Sequence, residues 1–289
     1  MITIFTAIIT PFDTQREIDY NLLEDLITWQ AQMKIDGLVV CGTNGEFASL
    51  SFEEVKSLLK FASDRKSESL EIIAGTGRAS LKETIALCNF AEGLADKALV
   101  VPPYYFKELN PVGLYNYFKQ LFEATRIPII LYNIPKYTGV SITPQLLTKL
   151  KAHENLVGVK DSSGKIENTE IFMKKFPNLA LYAGSDALIY QSFEKGARGG
   201  ISAVATAFPK DVLEIKENFL AGKKAAVQAA QEKVSKIRSI LKQFSNRAAI
   251  KYALSLRGYH LSLVRPPLMD LTDEQQQDLK NKLSPYITR

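Results

Sequence analysis

At 289 residues the chain can bury a large core without disulfide or metal staples, either as one large α/β barrel or as two ordinary domains. Its 46% hydrophobic and 23% charged content excludes a disordered or fibrous chain, and 36 basic against 31 acidic residues leave a net charge of +5 spread along its length. That dispersion excludes a nucleic-acid stripe, since clusters such as "KIRSILKQFSNR" read as solvated helix faces, and no apolar run reaches membrane-spanning length.

From the N-terminus, strand-type apolar runs fall at 4–9, 37–41, 70–74, 98–101, 127–132, 156–159, 179–183 and 200–203. Between and after them lie amphipathic stretches near 20–34, 53–64, 80–94, 112–125, 143–152, 167–176, 186–196 and 209–221. Helix starts are marked by Ser51 before "FEEV", Ser80 before "LKET", Thr143 followed by Pro144, and Pro209. Strict alternation of apolar strands and amphipathic helices predicts parallel strands covered on both faces. The number of units favours a closed (β/α)8 TIM barrel over an open doubly wound sheet. After residue 222 the strands stop, and the remaining chain reads as helices. The expected organisation is therefore a catalytic barrel over 1–222 and a C-terminal helical extension over 223–289, packed on it.

A TIM barrel builds its active site at the C-terminal ends of its strands. This narrows the search to "CGTNGEFASL" after the second strand, "AGTGRAS" after the third and "PPYYF" after the fourth. It continues with "LYNIPKYTG" after the fifth, "VKDSSG" after the sixth, "AGSDAL" after the seventh and "GGISAV" at the eighth. Lysines are common in helices and loops, where they are solvated. Lys97 precedes its strand and faces the opposite end of the barrel, and Lys136 lies in a loop. Lys160 alone ends an apolar strand on the catalytic side. Asp161 is a poor partner for it, because neighbouring strand residues point to opposite faces. Desolvation favours the neutral amine of a lysine, the form that attacks a carbonyl and closes a Schiff base.

Other chemistries lack their residues. The only histidines, His153 and His260, form no metal-type cluster, and no nucleophile elbow, Cys–His pair or Walker loop is present. "GTGRAS" half-imitates a dinucleotide fingerprint and lacks its last glycine. Cys41 and Cys88 sit in apolar contexts without metal spacing, as buried free thiols of a reducing compartment would. The N-terminus carries no basic leader, so the expected location is cytoplasmic. No metal or nucleotide cofactor is expected. Imine chemistry needs proton transfers, and with no histidine at a strand end Tyr132 is the expected carrier, beside Lys160. Gly42 and Gly45 flank Thr43 and Asn44, leaving backbone N–H groups that could seat the carboxylate of a 2-oxo acid.

Seven motifs in order, "GTNGE", "PPYY", "YNIP..TG", "GVKDSSG", "GSD", "GARGGIS" and "RPPL", resemble the dihydrodipicolinate synthase / N-acetylneuraminate lyase superfamily of class I pyruvate aldolases. The resemblance runs from "AIITPF" to "VRPPLMDLTDE". It implies Lys160 as the Schiff-base lysine, Tyr132 as general acid and base, and Thr43 as a relay between Tyr132 and Tyr105, which in many members reaches into a neighbouring subunit. It also implies that Thr43 and Asn44 hold the carboxylate of pyruvate or another 2-oxo acid, and that the protein is a homo-oligomer, a dimer or a tetramer.

Departures from the pattern bear on the substrate. Dihydrodipicolinate synthases usually read "GTTGE" and "YNVPSRTG", where the arginine grips the carboxylate of the aldehyde. Asn44 and Tyr137 stand at the corresponding positions here. Sialic acid lyases resemble "GVKFT", where this chain has Asp161 and Ser162. The motifs lean instead toward cleavage of a 2-keto-3-deoxy sugar acid, such as 2-keto-3-deoxygluconate, or of 4-hydroxy-2-oxoglutarate. Dihydrodipicolinate synthesis from pyruvate and aspartate semialdehyde is the alternative, and a non-catalytic regulator on the same fold is the reading from another class. Lys136, Tyr137, Ser162, Ser185 and Ile201 are the candidates for contacts along the substrate.

Overall fold

A computed structural model describes residues 2–106, 109–260 and 262–287. Eight parallel strands close into a barrel in chain order: β1 Thr3–Ala7, β2 Gly37–Val40, β3 Glu71–Gly75, β4 Lys97–Val100, β5 Ile129–Asn133, β6 Leu156–Asp161, β7 Ala180–Ala183 and β8 Gly199–Ser202. The ring is completed where β8 pairs with β1, Thr3 opposite Gly199. The helices are α1 Tyr20–Gln32, α2 Phe52–Arg65, α3 Leu81–Ala91, α4 Pro111–Ala124, α5 Pro135–Thr138, α6 Pro144–Leu150, α7 Ile166–Lys175, α8 Ile189–Glu194, α9 Pro209–Leu220, α10 Lys224–Leu241, α11 Asn246–Ser255 and α12 Asp273–Leu283.

The helix starts form as their residues dictate. Ser51 and Glu54 make a reciprocal capping box on α2, and Ser80 and Thr143 accept the third N–H of α3 and α6. Strand side chains alternate between two apolar layers. Phe5, Val39, Ile73, Leu99, Ile130 and Tyr182 fill the barrel axis, while their strand neighbours join the helices in a larger outer layer. Each large aliphatic side chain buried this way contributes about 1.5–3 kcal/mol. Because both faces are dry, the strands read as unbroken apolar runs. Lys97 pairs with Glu71 at the N-terminal end of the strands, away from the mouth.

Three local differences from the sequence reading matter for the site. β6 does not stop at 159 but carries Lys160 and Asp161 in its ladder, because one side chain turns inward and the other outward without interrupting the backbone bonds. The stretch after the seventh strand divides into a tight turn, Asp186–Leu188, and the short α8. Lys136 lies not in an open loop but in the single-turn α5. Beyond α9, Gly222 turns the chain in the left-handed region at φ 67, and α10 packs back on α9 and α8.

Candidate active site

Strand register builds the centre of the site. Tyr132 on β5 is paired with Lys160 on β6, and Lys160 in turn with Tyr182 on β7. Tyr132 lies in the inner apolar layer, so its register partner also faces the barrel mouth. Lys160 is only 4% exposed, and its Nζ stands 4.1 Å from the centre of the Tyr132 ring. A desolvated ammonium over an aromatic face gains about 2 kcal/mol, which offsets part of its burial cost.

The next register pair on the same two strands, Asn133 and Asp161, faces outward. Asn133 Nδ2 donates to Asp161 Oδ1 at 2.6 Å, and the Ser163 hydroxyl donates to Asp161 Oδ2 at 2.8 Å. Asp161 is thus spoken for on the far side of the strand, and the pairing of Lys160 with its neighbour does not form. Burial pushes the Asp161 carboxyl up, and the donors from Ser163 and Asn133 oppose it.

The two tyrosines beside Lys160 differ in electrostatics. Burial alone would raise the Tyr132 phenol, but the Lys160 charge with the Thr43 and Ser162 hydroxyls outweighs it and holds the phenol below the ordinary tyrosine value. Burial, helped by the Glu71 charge, pushes the Tyr182 phenol up to about 12. Of the two phenols, Tyr132 is the one whose surroundings favour the ionised form.

Residues 42–46 form the turn over this pair. Cys41 and Glu46 bracket it, both left-handed, at φ 57 and 56. The Thr43 hydroxyl donates to the Tyr132 oxygen at 3.5 Å, the long limit of a hydrogen bond. Asn44 is buried, and its amide donates to the Ala7 carbonyl at 3.3 Å. A Cβ on Gly75, at the end of β3, would run into the Cys41 carbonyl, so only glycine lets β3 pass under the turn. The neighbouring Arg78 donates to the Phe47 and Leu50 carbonyls at 3.1 and 3.0 Å. The "GTGR" segment thus packs under the turn and ties down the residues that follow it.

A cavity of about 300 Å³ opens from Lys160 toward the solvent. Its lining includes Thr43, Asn44, Tyr132, Lys136, Tyr137, Ser162, Ser185 and Ile201, all candidates from the sequence. Gly42 sits beneath it, beside Thr43 and Tyr132, in a much smaller pocket. Tyr105 is not brought to the cavity: it stands at φ 88, 92% exposed, with its ring edge-on to Phe106.

The far wall was not expected. Arg238 of α10, Lys242 at its C-cap, and Asn246 and Arg247 of α11 line the cavity, so part of "KIRSILKQFSNR" faces the site and is not simply a solvated helix face. Burial and the neighbouring Arg238 and Lys136 cations hold the Lys242 ammonium below its usual value, with Asp186 opposing. Asp186, which burial pushes up, accepts from the Ser202 hydroxyl and stands near Arg238. The distal cavity is therefore a concentration of positive charge suited to an anionic group. The only sequence signal was helical spacing, Arg238 and Lys242 being four residues apart on one face.

The Dihydrodipicolinate synthetase family model matches residues 1–285. The chain belongs to the dihydrodipicolinate synthetase family. It is 35% identical over 283 residues to the 4-hydroxy-tetrahydrodipicolinate synthase of Hydrogenobaculum sp. (strain Y04AAS1), covering 97% of each chain. Among solved structures it is similar to dihydrodipicolinate synthase from Aquifex aeolicus, with a TM-score of 0.93 and 31% identity over 99% of this chain and 98% of the other. A second is YagE, a prophage protein of the family from E. coli K12 in complex with pyruvate, with a TM-score of 0.93 and 27% identity over 99% and 98% of the two chains. As a member of the dihydrodipicolinate synthetase family, the protein is a (β/α)8 enzyme of carbon–carbon bond chemistry that works through a lysine imine with pyruvate and needs no metal. No helix among the described residues is long and apolar enough to cross a membrane.

Proposed function

We propose that Lys160 forms the imine with pyruvate and that the enzyme condenses it with an aldehyde bearing a second anionic group, aspartate semialdehyde being the best supported. The observation that carries this reading is the Tyr132–Lys160 pair facing a cavity whose far wall carries Arg238, Lys242 and Lys136. The name carried by the Hydrogenobaculum relative supports the same substrate. Tyr137, where an arginine would grip the aldehyde's carboxylate, weighs less against it once α10 supplies cations to that space.

In this reading the neutral Lys160 amine attacks C2 of pyruvate, and the carbinolamine loses its hydroxyl as water with a proton delivered by Tyr132. The phenolate left on Tyr132 takes a C3 proton and gives the enamine, whose C3 then bonds to the aldehyde carbon while the restored Tyr132 phenol protonates the developing alkoxide. Water hydrolyses the product imine and returns Lys160. Thr43 and Asn44 hold the pyruvate carboxylate above Gly42, and the Thr43 hydroxyl hands protons to Tyr132. Ser162, Ser185, Ile201, Lys136 and Tyr137 meet the distal part of the substrate. Tyr105 completes the relay from a second copy of the chain, a reading supported by the exposed Tyr105, Phe106 and Val112.

A second reading runs the same steps in reverse, cleaving 2-keto-3-deoxygluconate or 4-hydroxy-2-oxoglutarate. Asn44 and Tyr137, both on the cavity wall, favour it. The enzyme should be offered pyruvate with aspartate semialdehyde, glyoxylate, glyceraldehyde and N-acetylmannosamine. An added carboxylate contact worth about 1.5–3 kcal/mol puts kcat/KM for aspartate semialdehyde about 10- to 100-fold above glyceraldehyde. Equal or better turnover of glyceraldehyde rejects the first reading in favour of sugar-acid chemistry.

A further inference from the structure

Helix α11 reaches the catalytic turn through two side chains one helical turn apart. Arg247 Nε donates to the Thr43 carbonyl at 2.8 Å. Lys251 Nζ lies 2.7 Å from Glu46 Oε1, with both side chains fully buried. Lys251 also donates to the Leu263 carbonyl at 2.6 Å and stands 4.3 Å from the centre of the Phe12 ring. The other Glu46 oxygen accepts from the Arg265 N–H at 3.0 Å. Around the pair, Arg16 is bonded to Asp270 at 2.7 Å and Arg265 to Glu54 at 2.6 Å. Burial brings the Lys251 ammonium down to about 8 against the pull of Glu46.

Glu46 stands in the left-handed region at φ 56, where glycine would be free of strain. A non-glycine residue persists there when its surroundings over-determine it, and the surroundings here act on the carboxylate. Lys251 and Glu46 do not line the cavity. Their place is behind the turn, not against the substrate.

We propose that the Lys251–Glu46 pair is a positioning device for the proton path, fixing the turn 43–46 so that the Thr43 hydroxyl stays on the Tyr132 phenol. Arg247 secures the near end of the turn, and the ion pair secures the far end. This rests on the reading of Tyr132 as acid and base. At 3.5 Å the Thr43–Tyr132 bond has no slack, so a small drift of the turn breaks it.

The test is a cycle among the wild type, E46Q/K251M, T43V and the triple variant. E46Q/K251M removes both charges together and leaves no unpaired ion in the core. In this variant borohydride should still trap pyruvate on Lys160, while kcat at saturating pyruvate falls about 10- to 100-fold, as misplacement by under an ångström produces. The triple variant should be no slower than T43V alone, because the path is already cut. Losses that multiply in the triple variant, or a wild-type kcat in E46Q/K251M, overturn the proposal and leave the Tyr132 reading standing. A T43V enzyme at wild-type rate overturns both. E46Q alone keeps an oxygen for the Arg265 N–H, and it serves in the same cycle, with the same outcomes, if the double variant does not fold.

Discussion

Tyr132 and Lys160 are register partners on adjacent parallel strands, and the lysine amine stands 4.1 Å from the centre of the tyrosine ring. The ring face lies against the lysine, the phenol is held below its ordinary pKa by the same charge, and the proposal has that phenol move protons. These two services can be separated. Tyr132→Phe keeps the ring and removes the hydroxyl, so imine formation with pyruvate should persist while turnover falls about 10²- to 10⁴-fold, the range of a lost general acid or base. Wild-type turnover in steady-state assays of Tyr132→Phe would remove the assignment.

The pH profile reports the same phenol. A hydrogen bond to a phenolate favours the ionised form, so removing the Thr43 hydroxyl raises the Tyr132 pKa. In the condensation direction Tyr132 must enter as the phenol. The rate is therefore full below its pKa and falls as pH rises through it. Thr43→Val should move this alkaline limb of kcat to higher pH, by less than about one unit for a single hydrogen bond. A limb that stays in place or moves down contradicts the proton path.

The place of Lys160 at the barrel mouth could be read before any coordinates, and the reason is geometric. Apolar runs alternating with amphipathic helices fix a parallel barrel, the barrel fixes which strand ends carry chemistry, and only one lysine sits at such an end. The inward turn of Lys160 and the outward turn of Asp161 also follow from strand alternation. The cationic wall was not legible, because an amphipathic helix reveals that it has a polar face but not what that face looks at. Arg238 and Lys242 belong to a helix after the last strand, and only the packing of α10 against the barrel turns them toward the cavity. Tyr105 marks the opposite limit, since its motif is plain but the single chain leaves it exposed and away from the cavity.

That wall has its own test. If Arg238 and Lys242 meet the anionic end of the aldehyde, Arg238→Ala loses a contact worth about 1.5–3 kcal/mol, and KM for the aldehyde rises about 10- to 100-fold. KM for pyruvate should barely change, since the proposal seats pyruvate at Lys160. Equal effects on both constants in bisubstrate kinetics would show that the cations do not discriminate the distal group.

Asn133 and Asp161 form the register pair next to Tyr132 and Lys160. The Asn133 amide donates to Asp161 at 2.6 Å, and its oxygen accepts from the Ile142 N–H at 2.9 Å. Asn133→Ala leaves the Asp161 carboxylate with only its Ser163 donors and the buried Ile142 N–H without a partner, so stability should fall by about 1–3 kcal/mol. Urea unfolding would record this as a lower midpoint at unchanged slope. An unchanged midpoint means that the pair does not hold the β5–β6 edge together.

The most direct measurement is reductive trapping. The enzyme is incubated with pyruvate, reduced with borohydride, digested, and its peptides are sequenced by mass spectrometry. The account predicts a three-carbon carboxyethyl group on Lys160, with none on Lys136, Lys242 or Lys251. An unmodified Lys160, or the adduct on another lysine, would contradict it.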